Sequence, residues 1–592
     1  MNLFRLRLLV CLALAAGFPG GLDQARAGEV SATPLPPWDT FSDTWVATDA
    51  LGRSLPTSAE TGPVRSGKTV GIFYFLWLNT QGPILDLSKM LKADPAHPPY
   101  GPRSAFHWWG EPLFGYYRSD DEFVIRKHAQ MLTDAGVDVI IFDVTNGFTY
   151  DETYLAICRV FAGMRRLGQK TPQIAFIAHS GSARVAQKLS QDFYAKGLHR
   201  DLWFLWKGKP LLMAPPAGLS ESILNFFSVR DSWAWTKGQK WFGDGKDAWP
   251  WLDHTPQTPG WHENPAKPEQ ICVCVAEHPV SNIGRSFSQG RQPPVAQIAS
   301  GRGLYFEEQW QRARQVDPEF VFVTGWNEWV AQRFISDKGG QPFLGQPLPP
   351  GGTFFVDQYS QEFSRDVEPM KDGHGDNYYY QLASQIRRYK GARPLPPVTS
   401  RPIRLDGQFE DWREVGPEFR DTIGDVVHRR HPGCGDAGLY VNDTGRNDII
   451  AAKVSCDASN IYFYVRTRDA MTPRTDTNWM LLFIDADQNA ATGWLGYDFV
   501  VNRIAAQEQT ATIERHQGHG YQWGTPTSVP YRTTGNELEL AIPRSVLGVS
   551  RLPATIDFKW ADNILQTGNG SDFTLHGDAA PNDRFNYRAK LN

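Results

Sequence analysis

The chain has 592 residues, with 60 basic against 64 acidic side chains, a formal net charge of −4 and 21 Trp. That length exceeds one average domain and admits two large ones. The near balance of charge offers no basic surplus for nucleic acid and no acidic tail of the kind that stays disordered. Aromatic residues make up 13% of the chain, and their flat apolar faces either stack on sugar rings or fill a large core.

Arg5 and Arg7, the apolar run 8–16 and the small residues of Ala25-Arg26-Ala27 read as a secretory signal peptide over 1–27, with cleavage before Gly28. The apolar run is shorter than the roughly 20 residues a membrane span requires, and no later stretch reaches that length. The expectation is a secreted or periplasmic protein without a membrane span. Of the six Cys, Cys11 leaves with the signal. Cys434 and Cys456, in the same later domain, are the expected disulfide of an oxidising compartment. Cys272 and Cys274 alternate on an apparent strand and read as core, since zinc spacing is absent.

Residues 28–69 form a Pro-, Ser- and Thr-rich lead-in. From 70 onward, strand-length apolar runs alternate with helical stretches. The runs are 70–77, 137–144, 173–178, 210–214, 226–229, 271–275 and 320–324, with 354–358 as the eighth. Helices are predicted over 122–135, 152–167, 182–196, 304–315 and 378–389, the first capped by Asp120 or Asp121. Continuous apolar runs suit strands buried on both faces. The fold class is therefore α/β: a (β/α)8 barrel over 70–391, followed by an antiparallel β-sandwich. Residues 233–268 read as a long functional loop. A Pro-rich linker, 392–403, precedes the short alternating segments of 404–592, which carry the sandwich signature.

A parallel barrel builds its site at the C-terminal ends of its strands. That rule selects Asp143, Asn146, His179, Glu277 and the run Trp326-Asn327-Glu328-Trp329. Glycoside hydrolysis uses two carboxyl groups roughly 5–9.5 Å apart. Glu328, flanked by two Trp, is the first candidate, because apolar walls raise a carboxyl pKa and suit a proton donor. Glu277 and Asp143 are the candidates for the second role, and Arg333 is a candidate structural partner of Glu328. His179, Asn146 and Asn327 are candidate hydroxyl binders. Trp77, Trp109, Trp326 and Trp329 are candidate sugar walls, and Glu111 lies in the aromatic loop 106–117 as an outside candidate. Asp143, His179 and Glu277 also admit a metal site, although no ligand spacing supports one. Catalysis by these groups needs no cofactor. The alternatives are a non-catalytic carbohydrate-binding protein and a hydrolase or lyase built around His179 and Asp143. The absence of a Gly-x-Ser-x-Gly elbow weakens an esterase. The expected partner is a polysaccharide or oligosaccharide.

At Trp326-Asn327-Glu328-Trp329 the chain resembles glycoside hydrolase families 99 and 71. Residues 71–75, 138–143 and 355–359, the run 362–369 and Ile386-Arg387-Arg388 fit the same picture. The resemblance spans roughly 70–392 and implies a (β/α)8 barrel hydrolase. Family 99 carries two Glu three residues apart; the first matches Glu328, whereas the position of the second is Ala331, which cannot transfer a proton. Another acid must then serve. The C-terminal part resembles family 9 carbohydrate-binding modules, on Leu405-Asp406-Gly407, Asp411-Trp412, residues 461–465 and the run 485–498. Asp485, Asp487, Asn489 and Asp498 supply hard oxygen ligands and form a candidate structural Ca²⁺ site, or an ion-free Asp/Asn turn. Trp494, Tyr497 and Trp523 are candidate sugar platforms.

Overall fold

The computed structural model describes residues 38–235, 243–505, 507–565 and 568–592. The signal segment 1–27 and the start of the lead-in lie outside these residues. Among the described residues no helix is long and apolar enough to cross a membrane.

Seven strands of the N-terminal part run parallel, in the order Gln270–Cys274, Phe320–Thr324, Thr69–Tyr74, Val139–Val144, Gln173–Ala178, Lys209–Met213 and Ser228–Arg230. Their Val, Ile and Phe side chains are buried on both faces, as a helix-covered parallel sheet requires. Gly71 is needed where it stands: a Cβ there would lie 2.5 Å from Cζ of Phe320 on the adjoining strand. The principal covering helices are Glu122–Ala135, Asp151–Arg166, Ser182–Leu189, Leu304–Val316 and Asn377–Lys390. Asp121 caps the first, accepting from Phe123 N, and Gly136 ends it at φ 90°.

Beyond Ser228–Arg230 the chain stays extended. Asp231 bridges Ala248, and Ala234–Trp235 pairs in parallel with Leu252–Asp253. No ladder among the described residues joins Leu252–Asp253 to Gln270–Cys274. That seam is held by side chains: Gln270 Nε2 donates to the Pro250 carbonyl at 2.9 Å, and Thr324 Oγ1 to that of Trp251 at 2.8 Å. Among the described residues the parallel ladder is thus open on one side, a half-barrel, and the complete (β/α)8 closure expected from the sequence is not shown. The eighth strand is also corrected. Gly352–Phe355 runs antiparallel to Val330–Ser336, which in turn pairs with Phe106–Trp108. A parallel return needs a crossover of a dozen residues or more, whereas the Gly- and Pro-rich turns of 339–352 reverse the chain.

The C-terminal part is one continuous antiparallel ladder of eleven strands. Thr527–Thr534 pairs on both sides and joins the halves, which face each other: Phe558 lies 5.7 Å from Phe463 and 5.2 Å from Phe419. The expected two-sheet sandwich is therefore a single curled, barrel-like sheet. It packs directly against the first part. Trp45 sits on Phe585, Arg429 pairs with Asp121 at 2.8 Å, and Arg584 with Asp376 at 2.6 Å. The Pro-rich segment is tied down as well, with Arg393 paired to Asp39 and Asp43. The Cys434–Cys456 disulfide is not formed; all five described Cys are free and buried. Cys434 is turned to the carbonyls of Leu78 and Tyr117, while Cys456 lies by Ser400 and Asn592.

Candidate active site

The C-terminal ends of the parallel strands gather acids around one arginine. After Phe320–Thr324, Gly325 turns at φ 88°, where a Cβ would strike the Arg365 carbonyl. Asn327 then clamps the neighbouring strand end: Phe75 N donates to its Oδ1 at 2.8 Å, and its Nδ2 donates to the Phe75 carbonyl. These two residues fix Glu328, whose own N–H donates to Asp366 Oδ1 at 2.8 Å. Its partner is Arg365: Nη2 lies 2.9 Å from Glu328 Oε2 and 3.6 Å from Asp357 Oδ1. The two carboxylate oxygens therefore stand at most 6.5 Å apart. The guanidinium is buried and lies 4.8 Å over the Trp251 ring, which keeps it away from competing water. Arg333, the partner considered from the sequence, is instead held by Thr353 and the Gly101 carbonyl.

Burial pushes the Glu328 carboxyl up to about 8; Arg365 opposes this, and the charges of Asp357, Asp366 and Asp143 add to it. Burial thus favours the protonated form, the state a donor needs. The Glu328 side chain keeps a tenth of its surface, whereas Asp357 keeps 54%. Solvent reaches the pair from the Asp357 side.

Asp143, at the end of Val139–Val144, is buried and accepts from Thr145 N and Oγ1 and, at 3.3 Å, from Trp77 Nε1. Burial raises its carboxyl too. Trp77 is half-buried, lies parallel to Tyr150 at 6.3 Å and meets the edge of Phe106. Phe148, next to Tyr150, is 66% exposed. His179 stacks on Trp233 at 3.7 Å, and Asn146 is exposed at the same rim. Asp143, Trp77, His179 and Asn146 thus lie at the strand mouths as the sequence rule placed them.

Others take different roles. Glu277 has no exposed surface: its Oε1 accepts from Tyr305 at 2.5 Å and its Oε2 lies 2.8 Å from His254 Nδ1. Only Oε1 is hydrogen-bonded, and the side chain is enclosed rather than open to the strand mouths. Trp109, Trp326 and Trp329 are fully buried pillars rather than sugar walls. Trp109 and Trp329 stack at 4.2 Å, and Trp326 packs on His128. Asn327 is the clamp described above and not a hydroxyl binder. Glu111 is bound by Lys371 and Lys89, which outweigh burial and hold its carboxyl below the usual range. Ala331 lies in an apolar cluster with Phe355 and Tyr359, so the position three after Glu328 does not face the acids.

Sequence reasoning assigned no role to Asp357, Arg365, Tyr150 or Phe148. It also passed over Asp253, which burial raises to about 7, and His278, which burial and then Arg365 lower to about 3. In the C-terminal sheet, carboxylate oxygens of Asp485, Asp487 and Asp498 lie within 4.8 Å of one another. Asn489, in the same loop, accepts from Ala491 N through its Oδ1. Trp494 and Tyr497 are buried in a core cluster and Trp523 is packed against it, so Trp494 and Tyr497 present no open platform.

No protein-family model matches the chain, and no curated protein matches it. Among solved structures, the family 99 endo-α-mannosidase of Bacteroides thetaiotaomicron in complex with bis-tris-propane is similar at a TM-score of 0.31 and 14% identity, over 54% of this chain and 96% of that one. A second structure of that enzyme gives 0.32 and 14%, over 55% and 98%. A glycoside hydrolase-like protein gives 0.27 and 11%, over 55% and 95%.

Proposed function

We propose that this chain is an exported glycoside hydrolase acting on a polysaccharide or oligosaccharide. Glu328 is the proton donor and Asp357 the second carboxylate. The observation that carries this reading is the shared arginine: it draws two carboxylates to one nitrogen, their facing oxygens at most 6.5 Å apart, which admits the close spacing of a retaining pair. Glu328, buried and protonated, gives its proton to the departing glycosidic oxygen. Asp357, on the open side, stabilises the developing positive charge or activates water. Asp143, with Trp77 bonded to it, orients the sugar. Export rests on the leader over 1–27, and N-terminal sequencing of the mature protein, expected to begin at Gly28, checks it.

The test is reducing-sugar release across a polysaccharide panel by the wild type, Glu328→Gln and Asp357→Asn. Both variants are expected to lose at least about a hundredfold in turnover while still binding the substrate. Full turnover by Glu328→Gln would overturn the proposal. The second reading, a carbohydrate-binding protein without catalysis, draws on Ala331, which leaves the family 99 pair incomplete. It predicts binding by the wild type with no cleavage on any member of the panel.

A further inference from the structure

Far from the strand mouths, a second group of acids is enclosed where the two parts of the chain meet. Asp421, Asp425 and Asp578 are buried, and one carboxylate oxygen from each lies within 4.8 Å of the other two. Neither oxygen of Asp421 has a hydrogen-bond partner among the described residues, nor does Asp425 Oδ1. An uncompensated carboxylate in a low-dielectric interior is costly, and such groups are ordinarily paired or bound to a metal. The nearby cations act on them only at longer range: Lys559 Nζ donates to the Pro581 carbonyl, and among the described residues no ion pair joins Lys127 or Arg126 to any of the three.

A neutral group points to the same place. Gln130, on the Glu122–Ala135 helix, is buried, and its Nε2 lies 2.7 Å from Asp425 Oδ2 while its Oε1 has no partner. The two ends of a glutamine amide are interchangeable in assignment. Turned over, Gln130 would give up its donations to Asp425 Oδ2 and Asn582 Oδ1 and present an oxygen 2.7 Å from a carboxylate oxygen, the spacing of two ligands on one ion. Calcium–oxygen bonds of about 2.3–2.6 Å place two ligands of one ion at most about 5 Å apart, which the three carboxylates satisfy. A cavity of about 880 Å³ is lined in part by Gln130, Asp134 and Thr422, neighbours of the acids, though by none of the three acids themselves.

We infer that Asp421, Asp425 and Asp578, with the Gln130 amide, form a binding site for a hard divalent cation, Ca²⁺ by chemistry, that fastens the C-terminal sheet to the Glu122–Ala135 helix. Three carboxylates and an amide oxygen are an all-oxygen set suited to calcium and poor for zinc or copper. The ion binds the folded interface and not the unfolded chain, so it adds stability by linkage.

The test uses full-length Asp487→Asn, in which the separate acidic loop of Asp485, Asp487 and Asp498 is weakened. After passage over a chelating resin this protein is expected to retain about one Ca²⁺ per chain by atomic emission, and EGTA is expected to lower its melting temperature by about 5 °C. Adding Asp421→Asn and Asp578→Asn should abolish both effects. Retention of the ion by that triple variant would overturn the inference. So would an Asp487→Asn protein that holds no ion and ignores EGTA, because the acids are then kept neutral by protons. If the triple variant does not fold, Tb³⁺ added to metal-stripped Asp487→Asn decides the matter. One equivalent should give sensitised emission that Ca²⁺ displaces, and its absence rejects the site.

Discussion

Glu328 and Asp357 meet at a single nitrogen, Arg365 Nη2, which lies 2.9 Å from one and 3.6 Å from the other. The arginine lowers the proton affinity of Glu328 while Asp357 raises it, so the two neighbours tune the donor in opposite directions. A general acid works while protonated, and activity should fall as pH rises through about 8. Arg365→Met should move that basic limb to higher pH, and Asp357→Asn, in whatever activity survives, should move it lower. Profiles of kcat/KM against pH check both signs. Coincident limbs in all three proteins would remove Glu328 from the role of donor.

The tryptophans divide by exposure, and their substitutions should divide in the same way. Trp77 is half-buried beside Asp143, so Trp77→Ala should weaken substrate binding by about 1 kcal/mol, roughly fivefold in KM, with the fold intact. Trp326 is fully buried against His128 and Tyr379. Trp326→Ala should cost about 3–5 kcal/mol of stability. Thermal melts read beside KM separate the two, and a Trp326→Ala protein of unchanged stability would return that residue to the list of sugar walls.

The contrast shows what sequence could and could not reveal. Six of the seven parallel strands are continuous Val-, Ile-, Leu- and Phe-rich runs, a pattern local enough to read directly. Glu328 was legible because it follows such a run by a few residues. Asp357 and Arg365 were not, since both lie in irregular chain after the antiparallel excursion of Val330–Phe355, and only the fold returns them to the strand mouths. Glu277 had the same local signature as Asp143. Tyr305 and His254, contributed by separate stretches of chain, enclose it, Tyr305 donating to one oxygen and His254 lying beside the other, and no spacing in the sequence announces that. Trp109, Trp326 and Trp329 carry the composition of a sugar subsite, yet their faces are spent on one another and on His128, because an aromatic side chain serves either purpose equally well.

Gly325 links the strand to the donor. Its φ of 88° is unfavourable for any residue with a side chain, and a Cβ there would collide with the Arg365 carbonyl. Gly325→Ala should therefore cost about 2 kcal/mol or more and displace the arginine that serves Glu328. The expected result is a lower melting temperature together with a fall in kcat larger than that of Gly52→Ala, a surface control that shares the positive φ (76°) but whose surroundings are open. Equal effects at the two positions would show that the turn does not position the acid.

Glu328 also makes stability depend on pH. Burial raises its folded-state pKa to about 8, from an ordinary 4.5. Its contribution is therefore fully present below about pH 4.5, where both folded and unfolded chains hold the proton, and is lost as pH rises towards 8 and the unfolded chain alone releases it. Glu328→Gln keeps the shape and removes the titration. The variant should match the wild type near pH 4 and become progressively more stable than it between pH 5 and 8, while losing turnover. Such a gain at the expense of activity is what a strained functional group produces. Denaturant melts of both proteins at a series of pH values provide the measurement; parallel curves across that range would mean that Glu328 is ionised in the folded protein and paired with Arg365 as a structural bridge.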